Sequence, residues 1–252
     1  MPDSLFTEFE MERCPDWLCP ACLNPSLAIV SGSFYQGDSA WTARYWNDID
    51  PEEHETVFSC MLRCTRPGCG ESVAVCGDGE AFQEQDDPEN GGGTRYVQVF
   101  RARSFLPALP LFIPPDACPA VIVKQLLEIS SLLTGHPAAA ANSIRSLVEV
   151  LLDELGIPRE EERPGKAPRP LWLGERLKVY KEQLGEHHDG LDALKLFGNA
   201  GSHGGSPIER KHLDDACFVL EQLITLVYYR RPDVSDQIGR LNRAFSRKTH
   251  NS

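Results

Sequence analysis

Cys19-Pro-Ala-Cys22 and Cys64-Thr-Arg-Pro-Gly-Cys69 are two short cysteine pairs in the first third of the chain. Tetrahedral zinc binds four thiolates supplied by two tight turns, and Pro and Gly within such pairs let the backbone fold around the ion. We therefore predict a structural zinc ion held by Cys19, Cys22, Cys64 and Cys69. Because a closed four-thiolate site leaves no position for water or substrate, the pattern indicates a folding role and not catalysis.

Three other cysteines in this region leave the choice of ligands open. Cys60 alternates with Phe58 and Leu62 as residues of a strand do, and Cys14 has no partner two residues away, but either could replace one of the four. The chain has nine cysteines, and an odd number crowded into one region is typical of metal ligands plus spare thiols in a cytoplasmic protein, not of a disulfide framework.

Composition limits the partners and the location. The first ten residues are acidic, and no apolar run is long enough to span a membrane, so we expect a cytoplasmic protein with no membrane contact. The net charge is −12, and residues 1–100 hold 18 Asp and Glu against 5 Lys and Arg. An acidic N-terminal region repels phosphate, so any contact with RNA or DNA is expected from the C-terminal part.

Aromatic and β-branched stretches predict a small antiparallel sheet around the cysteine pairs. We predict an N-terminal zinc-ribbon-like β module over residues 1–104, followed by a proline-rich connector. The predicted strands cover residues 40–46, 56–62, 72–76 and 96–100.

Apolar residues at steps of three and four predict helices after the connector. One helix is expected to end at Gly156, and another to begin at the capping-box pattern Ser206-Pro-Ile-Glu209. The predicted fold is therefore α+β, with a helical bundle over residues 105–252. Its apolar stripes cover residues 122–133, 144–155, 173–184, 191–203, 213–227 and 234–245.

The segment Phe197-Gly-Asn-Ala-Gly-Ser-His-Gly-Gly205 is the second unusual feature. So many glycines at the end of a helical pattern indicate a close approach of two backbones or a sharp exit. If the helix continues through it, Asn199 and His203 share one face. Alternatively, His203 caps the helix or packs within the bundle.

The C-terminal part resembles domain-of-unknown-function family 4145. The matching features are the helix Ala138-Ala-Ala-Ala-Asn-Ser-Ile-Arg145-Ser-Leu-Val-Glu149, the Leu173–Tyr180 helix and the Gly198-to-Gly204 segment. That family often follows a cysteine-paired zinc module and is similar to the HEPN group of helical domains. The resemblance implies a HEPN-like bundle, a homodimer or a defence-system protein partner, and a place in prokaryotic antiphage defence or nucleic-acid metabolism.

Many HEPN domains cleave RNA without a metal, using His and Arg. In their motif an Arg precedes the polar residue four before His, whereas this chain has Gly198 there. The resemblance carries over Asn199 and His203 directly, and Lys195 as a substitute cation. It also carries over Arg145 and Glu149 as a binding pair, although residues at i and i+4 are equally an intrahelical ion pair.

The sequence therefore predicts a zinc-stabilised, noncatalytic interaction or regulatory protein. One alternative is a metal-independent ribonuclease that uses His203, Asn199 and Lys195. A second is a nucleotide or nucleic-acid sensor that uses the face carrying Arg145 and His203.

Overall fold

The computed structural model describes residues 3–85, 93–203, 207–230 and 233–245 of the chain. Within them an antiparallel sheet near the N-terminus is followed by helices, which is the predicted α+β arrangement. None of the described helices has the length and apolar composition that a membrane span requires.

The sheet has five strands, β1 (Leu27–Ile29), β2 (Tyr35–Asp38), β3 (Thr56–Cys64), β4 (Ser72–Gln85) and β5 (Thr94–Leu106). Their order is β1-β3-β4-β5, and β2 also pairs with β3. In β3 the buried side chains alternate with exposed ones, as the sequence predicted, so Phe58, Cys60 and Leu62 face the core.

The strand predicted at residues 40–46 is wrong, because Ala40–Tyr45 forms the short helix α1. The side-chain oxygen of Ser39 accepts a hydrogen bond from the backbone N–H of Thr42 at 3.1 Å, which caps this helix. Thr42 is buried, and its hydroxyl also bonds both backbone groups of Glu55. These local bonds outweigh the strand preference of the surrounding aromatic residues.

The helical part contains seven helices among the described residues. They are α2 (Ala120–Leu133), α3 (Pro137–Glu154), α4 (Leu173–Val179), α5 (Lys181–Leu184), α6 (His188–His203), α7 (Arg210–Tyr228) and α8 (Ser235–Phe245). Between α3 and α4 lies a two-stranded ribbon of β6 (Glu160–Glu161) and β7 (Arg169–Pro170).

The start of α7 differs from the predicted position. The helix begins at Arg210 with Glu209 as the residue before it, and Pro207 and Ile208 are not helical. The predicted capping residue Ser206 lies outside the described residues. The backbone N–H of Glu209 donates to His212 Nδ1 at 3.3 Å. The side chain of His212 thus helps to cap the start of the helix.

The end of α3 follows the prediction. Gly156 has φ +71°, and its N–H donates to Asp153 O while the N–H of Ile157 donates to Leu152 O. This is the two-bond pattern that ends many helices with a left-handed glycine. Leu152 and Ile157, which occupy the positions where the pattern usually has apolar residues, are both buried in the core.

The sheet and the helices share one continuous hydrophobic core. Trp17 lies against Phe9 and Phe105 in edge-on contacts with ring centroids 5.4 and 5.0 Å apart. On the helical side, Thr134 at the end of α2 donates its hydroxyl to the carbonyl of Arg103 in β5 at 2.9 Å. The last strand of the sheet is thus attached directly to the helical part.

Candidate functional site

The four predicted cysteine ligands come together at one end of the sheet. Cys19 and Cys22 lie in a turn in which the N–H of Leu23 donates to Cys19 O at 2.9 Å. Cys64 is the last residue of β3, and Cys69 lies in the turn that leads to β4. Gly68 and Gly70 on either side of Cys69 have φ of +82° and +67°, a conformation that favours glycine.

The spacing of the sulfurs suits a tetrahedral metal. Sγ of Cys19 and Sγ of Cys69 are 3.7 Å apart, as are Sγ of Cys22 and Sγ of Cys64, and all four lie within 4.8 Å of one another. A zinc–sulfur bond of about 2.3 Å in a regular tetrahedron puts neighbouring sulfurs about 3.8 Å apart. Four thiolates in this geometry are a donor set suited to a soft or borderline metal, zinc above all.

Neighbouring donors favour the thiolate form at two of the four sulfurs. A hydrogen bond from the backbone N–H of Asn24 lowers the pKa of Cys22 to about 6. The hydroxyl of Ser26 lies 3.1 Å from Sγ of Cys64 and lowers the pKa of that cysteine. Burial raises the pKa of Cys19 to about 12, so its thiolate needs a cation for compensation.

Cys14 and Cys60, the alternative ligands, lie outside the four-cysteine cluster. Cys14 donates its Sγ–H to the carbonyl of Leu27 at 3.1 Å, and Cys60 is buried on the core face of β3. Burial raises the pKa of both cysteines to about 11, which keeps them as neutral thiols at physiological pH. Cys76, in β4, is exposed. In the part of the chain that the structure describes, the only cluster of metal-ligating side chains consists of Cys19, Cys22, Cys64 and Cys69.

The glycines of the second predicted site serve helix packing. Helix α6 continues through the segment to His203, and Gly198 and Gly201 face α3. A Cβ on Gly198 would lie 2.4 Å from Cβ of Arg145, and a Cβ on Gly201 would lie 2.6 Å from the carbonyl oxygen of Ala138. The two backbones approach so closely that only glycine fits, which is the first of the two alternatives that the glycines indicated.

This approach brings Arg145 against Asn199. Nε of Arg145 donates to Oδ1 of Asn199 at 3.1 Å, and its Nη1 lies 3.5 Å from Oε1 of Glu149. The Arg145 and Glu149 side chains are each about one-third exposed, at 36% and 37%. Arg145 and Glu149 therefore form the intrahelical pair that the spacing allowed, and Asn199 joins it from α6.

Lys195 is paired within its own helix, α6. Its Nζ pairs with Asp192 on the same helix, one turn before Asn199. His203 is the last residue of α6, one turn after Asn199, and its side chain is outside the described residues. The cation bonded to Asn199 is thus Arg145, which the resemblance carried over as a binding residue, and not Lys195, the cation expected for a ribonuclease.

Two family models match separate parts of the chain. Residues 128–247 match the family described as Domain of unknown function (DUF4145). The resemblance inferred from the residues is confirmed to that extent. Residues 7–105 match a second family, described as Domain of unknown function (DUF8608). No curated protein and no solved structure matches the chain.

One buried cation in the DUF4145-matching region has no signal in the sequence. Arg176 in α4 is 3% exposed, and its guanidinium donates to the carbonyls of Ile157 and Pro158 just beyond α3. It also binds Oδ1 of Asp153 at 2.6 Å. Arg176 therefore stabilises the end of the helix that carries Arg145, and its role is structural.

The α3–α6 contact makes a testable prediction. We expect Gly198→Ala to lower the free energy of unfolding by about 1–3 kcal/mol, because its Cβ would collide with Arg145 and with the carbonyl of Ala141. Gly174→Ala in α4 is the matched control, since nothing lies within 4 Å of its added Cβ. Urea unfolding of both variants would test this. Equal stability of the two variants would contradict the assigned packing role.

Proposed function

We propose that the chain is a zinc-stabilised, noncatalytic interaction protein that self-associates through helix α8. The observation that carries this proposal is an exposed apolar stripe formed by Val234, just before α8, and by Ile238, Leu241 and Phe245 of α8, with exposures of 49% to 77%. No described residue of α8 is buried. A row of large apolar side chains left open in this way is characteristic of an interaction surface.

The spacing of the residues in this stripe favours packing against a second helix. Its four residues are four, three and four positions apart, which is the narrow seam of a two-stranded coiled coil. A second copy of α8 offers the same seam and completes a symmetric interface. Three turns of seam bury less than the roughly 800 Å² per partner of a stable dimer, so the exposed Leu226 and Tyr229, which precede α8 in the chain, are expected to contribute.

Zinc is the metal that we propose for the four-cysteine cluster. The cluster offers four ligand atoms and so fills the coordination of a tetrahedral ion without leaving a reactive position. Its role is then to hold the two cysteine-bearing turns of a zinc-ribbon-like module together and so to stabilise its fold.

We further propose a HEPN-like bundle and work in prokaryotic antiphage defence or nucleic-acid metabolism, as the resemblance of DUF4145 domains to the HEPN group implies. Noncatalytic action is supported by the second site, where Gly198 stands in place of an arginine and Lys195 is paired with Asp192. In this proposal the bundle serves as a docking and dimerisation domain.

Light scattering of the purified protein tests the self-association. We expect a dimer for the wild type at tens of micromolar and a monomer for the double variant Ile238→Asp, Leu241→Asp, because the charges would have to be buried in the seam. Arg240→Asp, on the opposite face of α8, changes the charge as much and should leave the dimer intact. A wild-type monomer, or a dimer in the double variant, would refute the proposal.

A ribonuclease remains the second candidate because of one contact. Arg145 reaches Asn199 from α3 and provides a guanidinium one turn from His203, where the HEPN motif would have its own Arg. A guanidinium suits phosphate better than the lysine first considered. RNA cleavage without added metal, abolished by both His203→Ala and Arg145→Met at unchanged stability, would favour this function over the first.

A further inference from the structure

A cavity of about 420 Å³ lies at the junction of the sheet and the helices. This volume is within the usual range for a small-molecule site. Its walls come from the N-terminal segment, β5, the start of α3 and the start of α7. The residues used below are Phe6, Glu8, Arg101, Arg103, Ile208 and Arg210.

The charge of this cavity is opposite to that of the chain. Three arginines line it against one carboxylate, Glu8, whereas the whole protein carries −12. Two of the arginines have carboxylate partners on β4, because Arg101 pairs with Glu80 and Arg103 pairs with Asp78. The carboxylates of Glu80 and Asp78 hold these two guanidiniums, but neither residue lines the cavity.

Arg210 is less firmly held. Its guanidinium lies over the ring of Phe6, 5.5 Å from the centroid, and its Nη1 donates to Oε1 of Glu8 at 3.3 Å. Charge-assisted bonds between guanidinium and carboxylate are usually about 2.7–2.9 Å long. A guanidinium has five N–H donors, so this single long bond leaves Arg210 able to bind a further oxyanion.

Glu8 occupies the point where two guanidiniums converge. The same oxygen, Oε1 of Glu8, accepts from Nε of Arg101 at 2.8 Å and from Nη1 of Arg210. One carboxylate therefore sits between two cations at the mouth of a cavity whose remaining wall includes Phe6 and Ile208. A phosphate dianion in that position would offer each of the two guanidiniums its own acceptor oxygen, whereas Glu8 serves both with one.

We propose that the cavity binds a small phosphorylated molecule, whose phosphate takes the position of the Glu8 carboxylate between Arg101 and Arg210. The apolar wall accepts the non-phosphate part of the ligand. Since the cavity joins the N-terminal segment to β5 and α7, the ligand links the sheet to the helical part. This site is separate from the cysteine cluster and from the Arg145–Asn199 contact.

Titration calorimetry on the full chain at low ionic strength tests the proposal, with phenyl phosphate as the probe. We expect binding to the wild type, at least tenfold weaker binding to Arg210→Met, and at least threefold tighter binding to Glu8→Gln, which removes the competing charge. Arg163→Met is the control: this exposed arginine donates to Ala167 O in a distant loop, and its loss should not change the affinity.

Benzoate distinguishes a phosphate site from a general carboxylate site, and it should bind at least tenfold more weakly than phenyl phosphate. Thermal melting of each variant confirms that it is folded, and Glu8→Gln provides an independent test if Arg210→Met does not fold. The proposal is overturned if phenyl phosphate binds neither the wild type nor Glu8→Gln. It is also overturned if Arg210→Met binds as well as the wild type, or if benzoate binds as tightly as the phosphate.

Discussion

Cys64→Ser is expected to lose the bound metal and to unfold the sheet around it. Structural zinc sites in small peptides contribute about 10–16 kcal/mol at pH 7, which is as large as the whole stability of a typical domain. Sγ of Cys64 lies 3.7 Å from Sγ of Cys22 and 3.1 Å from the hydroxyl of Ser26. Its loss leaves three thiols that cannot complete a tetrahedral site.

The buried indole of Trp17 makes this result measurable. Trp17 packs against Phe105, so unfolding of the sheet should shift its fluorescence to longer wavelength and remove its near-ultraviolet circular dichroism. Cys76→Ser is the matched control, because Cys76 is exposed and outside the cluster. A Cys64→Ser protein with native Trp17 signals and an unchanged melting temperature would contradict the structural role of the cluster.

Arg176→Met is expected to destabilise the helical part by about 3–5 kcal/mol. The substitution keeps most of the side-chain volume but removes the buried guanidinium, so the carbonyls of Ile157 and Pro158 lose their donor. Removing one partner of a buried charged network costs this much because the remaining polar groups stay buried without compensation. Denaturant unfolding followed by circular dichroism at helical wavelengths gives the free energy.

Arg159→Met is the matched control for Arg176→Met. Arg159 binds the same carboxylate, that of Asp153, but its side chain is 66% exposed. Exposed ion pairs contribute about 0–1 kcal/mol, so we expect a loss of at most 1 kcal/mol. If the two variants lost equal stability, burial of Arg176 would not be the reason for its contribution.

Asp153 also makes stability depend on pH. The hydrogen bonds from Arg159 and Arg176 lower the pKa of Asp153 below its usual value of 3.8. The stabilisation by this carboxylate is therefore complete above the unfolded-state pKa and is lost as the pH falls through the lower, folded-state pKa. In Arg176→Met the acid-unfolding midpoint should move to higher pH.

The cysteine cluster was predictable because its information is local. Each pair sits in its own turn, so the spacing and the Pro and Gly residues report the geometry directly. The same applies to the end of α3, where Gly156 marks the stop, and to Gly198, whose lack of a side chain signals close packing.

The features that were missed depend on contacts between distant parts of the chain. Arg176 is one arginine among many in the sequence, and only the folded chain shows that it reaches the end of α3. The junction cavity needs Glu8, Arg101 and Arg210, which are brought together by tertiary structure alone. At residues 40–46 the strand preference of the composition was overruled by the cap at Ser39, a local signal that the strand interpretation did not weigh.

Metal content measured by mass on freshly purified protein decides whether the cysteine cluster holds zinc. We expect about one zinc per wild-type chain, the same amount in Cys76→Ser and less than a tenth of it in Cys64→Ser. Fewer than about one zinc per wild-type chain, or full zinc in Cys64→Ser, would contradict the assignment of Cys19, Cys22, Cys64 and Cys69 as the ligands of a structural zinc ion.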